Sequence, residues 1–98
     1  MAYLVKITSR AERDLETLYQ TIHAEYSLAA LKWFLGLKRA ILSLTTFPKR
    51  CPIMRKRDSL RQLLYGDGPH IHLVIFRIVE RRKDVEILHF RHGGKGGR

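Results

Sequence analysis

Apolar residues recur along the first half of the chain at two different periods. From Ala2 to Thr8, the side chains of Tyr3, Val5 and Ile7 alternate with Leu4, Lys6 and Thr8. That period of two predicts a partly exposed strand. Beyond it the period lengthens: Ala11, Leu15, Leu18, Ile22 and Tyr26 are spaced 4, 3, 4 and 4 apart, a single stripe along a helix. Ser9 and Glu12 precede the stripe as an S-x-x-E capping box, in which each side chain satisfies a backbone N–H left over at the helix start. A second stripe of Ala30, Phe34, Leu37, Ile41 and Leu44, widened by Trp33 and Ala40, follows Ser27 as its cap. Pro48 is expected to end this helix, because proline disfavours helical geometry in the residue before it. The short connection implies an antiparallel helical hairpin, and neither apolar stripe is stable facing water.

The second half reads as strands. Lys49 to Asp58 contains five basic residues and Pro52 without periodicity, and is read as a basic loop. Leu60 to Tyr65, Ile71 to Val79 and Val85 to Arg91 are predicted strands, separated by Gly66-Asp67-Gly68-Pro69 and by a turn from Arg81 to Asp84. Turns this short make the three an antiparallel meander, so the order is βααβββ and the class α+β. Four glycines among residues 93–98 predict a flexible basic tail behind one domain covering residues 1–92.

Composition narrows the function. At 98 residues, 45% hydrophobic and 29% charged, the chain has the balance of one soluble domain with a modest core. No apolar run approaches the roughly 18 residues of a membrane span. Met1 to Thr8 lacks the features of a signal peptide, so a cytoplasmic protein is expected. Cys51 has no cysteine partner for a disulfide or a structural zinc site. The informative quantity is charge: 19 Lys and Arg against 9 Asp and Glu give +10. Nucleic acid, an anionic membrane surface and an acidic protein all answer to that.

Candidate chemistry gathers near the C-terminus in His89-Phe90-Arg91-His92. Strand alternation places His89 and Arg91 on one face and Phe90 and His92 on the other, so the four do not converge on one ligand. A histidine here is either a proton-transfer group or a strand-end side chain satisfied by a neighbour. His70 and His72 are spaced like a metal pair, but with no cysteine or paired carboxylate nearby they read as polar positions of a turn and strand face, and no metal or cofactor is expected. Lys49, Arg50, Arg55, Lys56 and Arg57 are either phosphate contacts or a solvated loop. Phe34 reads as core, Trp33 as core or partner anchor. The aromatic strings, glycine loop and zinc spacings of common RNA- and DNA-binding modules are missing.

Three strings together resemble one family: Arg61-Gln62-Leu63-Leu64-Tyr65-Gly66, His72-Leu73-Val74-Ile75-Phe76, and Val85-Glu86-Ile87-Leu88-His89-Phe90-Arg91-His92-Gly93. They are similar to the C-terminal half of RelE/ParE-type toxins of type II toxin-antitoxin pairs. Ala11, Asp14-Leu15 and Leu44-x-x-Phe47-Pro48 agree in the helical half. The resemblance implies a two-layer fold, an antiparallel sheet with the helical hairpin on one face and the first strand beside the last. It also implies a cognate antitoxin with an acidic, helical segment, and a target that is either DNA gyrase or ribosome-bound mRNA, with no membrane or small-molecule substrate. The mRNA-cutting branch commonly carries an aromatic residue and then Arg on the middle strand, where this chain has His72-Leu73, and places a tyrosine after the last strand, where it has glycines. The resemblance therefore points to a ParE-like toxin acting by contact, with Arg61, His89, Arg91 and Lys95 as target or nucleic-acid contacts. The alternative is a ribosome-dependent mRNA endonuclease using Arg61, His72 and His92.

Overall fold

Thr8 joins the first strand to the first helix and serves both. β1 (Leu4–Ile7) ends just before it, and α1 (Ser9–Thr21) begins just after. The Thr8 side chain accepts the Ala11 N–H, and its hydroxyl donates to the Ile87 carbonyl at 2.8 Å. The N-cap is thus Thr8, one residue before the expected Ser9. The computed structural model describes residues 2–55, 57–67 and 70–92, and, of Arg57 and Asp58, the backbone alone. The expected Gly68-Pro69 half of a turn, Lys56, Lys95 and the tail at residues 93–98 lie outside the described residues.

α1 stops sooner than its stripe suggested. The Ile22 N–H closes on the Leu18 carbonyl and His23 turns left-handed (φ 58°), which leaves Tyr26 83% exposed. Ser27 caps α2 (Leu28–Leu42) as expected, accepting the Ala30 N–H. This helix ends at Leu42, well before Pro48: a 3₁₀ turn at Ser43–Thr45 keeps Leu44 buried, and Pro48 opens a second such turn at Pro48–Arg50.

The expected basic loop is only partly a loop. Ile53–Met54 forms a short edge strand, β2, against β3 (Arg57–Tyr65), so the sheet has one more strand than the sequence pattern predicts. Two consecutive apolar residues are too few to show a period. β4 (His72–Val79) and β5 (Asp84–His92) complete a sheet ordered β1-β5-β4-β3-β2. β1 lies beside the last strand as expected. It runs parallel to it, however, so the sheet is an antiparallel meander with one parallel edge. The α+β class and the helical layer on one face hold: Leu15, Phe34, Leu37 and Ile41 share one core with Val74, Phe76, Val85, Ile87 and Phe90.

One irregularity sets which side chains reach which face. Ile75 pairs with His89 and Phe76 with Ile87, so Leu88 is an extra residue in β5. A bulge of this kind changes the alternation by one. Ile87 and Phe90 consequently both face the helices, and Leu88, His89 and Arg91 line the opposite face.

Candidate functional site

The face of the sheet that no helix covers holds a groove of about 690 Å³. Its floor is apolar, from Leu60 on β3, Leu73 and Ile75 on β4 and Leu88 at the bulge, while Met54 of β2 closes one side. Cations ring it: Arg10 from the first turn of α1, Arg55 from the β2–β3 connection and Arg91 from β5, with His89 between them. Leu73 and Arg91 are direct cross-strand partners. The spacing expected for His89 and Arg91 on one face is therefore realised, and Arg10 and Arg55 join them from elements distant in sequence.

The His89 pKa is held below the ordinary histidine value. Burial is the largest cause of its lowered pKa, followed by the Arg10 charge and opposed by Asp14. Its Nδ1 lies 3.6 Å from Asp14 Oδ2. That carboxylate also caps a sheet edge. β1 ends opposite Ile87, leaving the edge of β5 uncovered beyond it, and Asp14 accepts the Phe90 N–H there at 3.1 Å. No ion pair among the described residues occupies Arg10, Arg55 or Arg91. The carboxylates of Glu80, Asp84 and Glu86 are instead taken up by Lys6, Lys49, Arg77, Arg82 and Lys83 at the other end of the sheet.

The remaining candidates sit on the helical side. His72 and His92 face each other across β4 and β5 with ring centroids 4.9 Å apart, edge to face. Trp33 of α2 stands edge-on to His72 at 5.3 Å and to Tyr65 at 5.1 Å, and the Tyr65 hydroxyl donates to the Trp33 carbonyl at 2.9 Å. Burial, then the neighbouring His92 and His70, pushes the His72 pKa down, against a contact from its Nδ1 to the His70 carbonyl. Arg61 is elsewhere. It pairs with Phe76, four residues or about 13 Å along the strand from the Tyr65–His72 pair. Its guanidinium donates to the carbonyls of Lys49 (3.2 Å) and Cys51 (2.7 Å), which holds the 3₁₀ turn and the start of β2 against the sheet.

His72 and His92 are thus together, His89 and Arg91 are together on the other face, and Arg61 joins neither group. Arg55, one of the basic-loop residues read as phosphate contacts or a solvated loop, lines the groove, whereas Arg10 in the groove and Asp14 beside His89 are residues that the sequence reading does not single out as contacts. For Arg10 the one sequence signal is the S-x-x-E box, which places it in the first turn of a helix next to the first strand.

Comparison with known proteins agrees with this architecture. Residues 5–96 match the model of the family described as ParE toxin of type II toxin-antitoxin system, parDE. Among solved structures, a chain of the chromosomal ParDE toxin-antitoxin system from P. aeruginosa superposes with a TM-score of 0.75 at 19% identity, covering 93% of this chain and 96% of that one. A chain of the RelBE2 toxin-antitoxin complex from Mycobacterium tuberculosis gives 0.65 at 22% identity, covering 94% and 92%. A free mutant E. coli RelE toxin gives 0.67 at 13% identity, covering 95% and 85%. At these identities the structural likenesses speak for the fold alone. No curated protein sequence shows significant similarity to the chain.

Proposed function

The chain belongs to the ParE toxin family of type II toxin-antitoxin systems, and from that membership we propose that it arrests growth in the cytoplasm by binding a macromolecular target such as DNA gyrase, cutting no RNA itself. It is a ParE-like toxin by family; the target and the mode of action are the proposal. The observation that carries the proposal is the Leu73–Arg91 pair in the groove wall. On the middle strand, where a phosphate-stabilising arginine would serve cleavage, the groove presents an aliphatic side chain. A lost donor of that kind costs about 10²- to 10³-fold in rate. The residues that the nuclease reading needs are also dispersed, Arg61 being engaged with backbone carbonyls away from His72 and His92.

A ring of arginines around an apolar floor suits a large anionic or mixed surface better than a small substrate. An antitoxin with an acidic segment would meet the same positive field, and its neutralisation of the toxin is part of this reading. The rival reading, mRNA cleavage, draws on one observation. His89, its pKa lowered by burial, lines the groove with Arg10, Arg55 and Arg91, the kind of grouping that moves a proton beside a phosphate.

Two assays on purified protein separate the readings. In a supercoiling assay the toxin is expected to inhibit gyrase or to accumulate cleaved plasmid, with Arg55→Ala/Arg91→Ala weakening the effect about tenfold or more. In a translating extract it is expected to leave ribosome-bound mRNA intact. Codon-positioned cuts with unaffected gyrase would replace the proposal with its rival.

A further inference from the structure

The sheet brings together two histidines from opposite ends of its central hairpin, His72 at the first position of β4 and His92 at the last of β5. They are direct cross-strand partners, and their ring centroids are 4.9 Å apart. Two imidazoles bound to one ion through metal–nitrogen bonds of about 2.0–2.1 Å have ring centres roughly 4.5 Å apart at a right-angled N–metal–N geometry and roughly 5.2 Å apart at a tetrahedral one. The observed separation falls between the two. The rings meet edge to face, and a turn of one about its Cβ–Cγ bond, a broad torsion, brings a nitrogen of each toward a common point. His72 is already oriented for such a role. Its Nδ1 lies 3.2 Å from the His70 carbonyl, which only accepts, so the ring proton sits on Nδ1 and Nε2 keeps the lone pair. Metal-binding histidines are commonly fixed this way, the second ring nitrogen donating to a backbone carbonyl. A cavity of about 290 Å³ opens beside His72 and Trp33, with room for water on an ion held there. Among the described residues no three His, Cys, Asp or Glu are grouped to hold an ion, so the ligands on offer are two imidazoles.

We propose that His72 and His92 bind one divalent transition-metal ion, with water in its remaining positions, as a clasp between the start of β4 and the end of β5. Imidazole nitrogen selects Cu²⁺, Ni²⁺ and Zn²⁺, whereas Mg²⁺ and Ca²⁺ take oxygen ligands. The formal charge of +10 works against a cation held by the field alone, so the bonds to nitrogen carry the affinity. In the sequence, His70 and His72 have the spacing of a metal pair; in the fold, the partner of His72 comes from another strand, and His70 contributes its carbonyl. The clasp lies on the helical side of the sheet, where His72 meets Trp33, away from the groove. Its presence or absence therefore leaves the toxin reading as it stands.

The molecule carries its own reporter, since Trp33 is the chain's one tryptophan and its ring centroid is 5.3 Å from that of His72. Titrating the untagged full chain with Cu²⁺, which quenches a nearby indole, should remove Trp33 fluorescence saturably, with one ion bound per chain. Competition should rank Cu²⁺ above Ni²⁺ and Zn²⁺. Zn²⁺, which does not quench, should raise the melting temperature as its concentration rises, and Mg²⁺ should not. His72→Gln and His92→Gln should each weaken Cu²⁺ binding about tenfold or more. His92 is exposed at a strand end, so His92→Gln keeps the test open where His72→Gln fails to fold. His23→Asn, at an exposed and left-handed position that asparagine tolerates, should bind as the wild type does. Absence of saturable quenching, quenching that His92→Gln retains in full, a loss shared by His23→Asn, or an equal response to Mg²⁺ would overturn the proposal.

Discussion

Phe34 is 7% exposed and meets the Tyr19 ring edge-on at 5.1 Å, in the middle of the contact between the helices and the sheet. Phe34→Ala should cost about 3–5 kcal/mol, a large share of the roughly 5–10 kcal/mol available to a small domain. Chemical denaturation measures it, and an unchanged midpoint would show that the ring is not core. The histidines give a pH prediction with a definite sign. Burial first, then neighbouring cations or histidines, lowers the pKa of both His72 and His89. The unfolded chain therefore binds protons, near its ordinary value of about 6.5, that the folded chain refuses. Stability is full above that value and falls as pH drops through it, before the carboxylates of Glu80 and Asp84, also lowered, begin to contribute near and below their ordinary range. Denaturation midpoints between pH 7.5 and 5 should decline, and His72→Gln/His89→Gln should flatten the decline; a flat wild-type profile contradicts the burial of these rings. Phe34 was legible in the sequence because helical spacing reports what faces a core. The groove was legible at His89 and Arg91, which strand alternation groups, and at Arg55, which the run of basic residues marks as a candidate phosphate contact. That Arg10 and Arg55 meet them, and that Asp14 reaches His89, follows from tertiary packing, to which local periodicity is blind.

Among the elements, α2 lies close enough to β3 for Gly36 to be a packing requirement. A Cβ there would overlap the Tyr65 hydroxyl, which is fixed by its bond to the Trp33 carbonyl. Gly36→Ala sets a helix-propensity gain of about 1 kcal/mol against an overpacking cost of about 1–3 kcal/mol. The ring is rigid and already anchored, so the cost should win. The expected outcome is a net loss of stability with a changed Trp33 fluorescence, since the indole meets the Tyr65 ring edge-on; a more stable variant with an unchanged spectrum would show that Tyr65 moves aside freely. A second glycine, Gly66, is needed for its backbone: φ is 96°, and a side chain there would also meet the His70 carbonyl. Element types and order were readable because long periodic runs identify helices and β-branched runs identify strands. Helix ends were not. Left-handed His23 and the 3₁₀ turn after Leu42 involve neither glycine nor proline at the stopping point, and β2 is too short to carry a pattern.

At the scale of the whole molecule, Glu80, Asp84 and Glu86 are taken up in ion pairs with lysines and arginines, and the groove on the uncovered face keeps Arg10, Arg55 and Arg91 outside those pairs. With a formal charge of +10, the chain presents a strong positive field to whatever meets that face. Among the described residues no helix is long and apolar enough to cross a membrane. Family membership and this surface lead to one central claim: the free domain is toxic, and its toxicity acts through the groove. Induced expression in a bacterial host, without any antitoxin, tests that most directly. Wild-type protein should stop growth within the induction period, and Arg55→Ala/Arg91→Ala, at equal soluble level and with unchanged melting, should allow growth. Normal growth with soluble wild-type protein present, or full arrest by the variant, would contradict the claim.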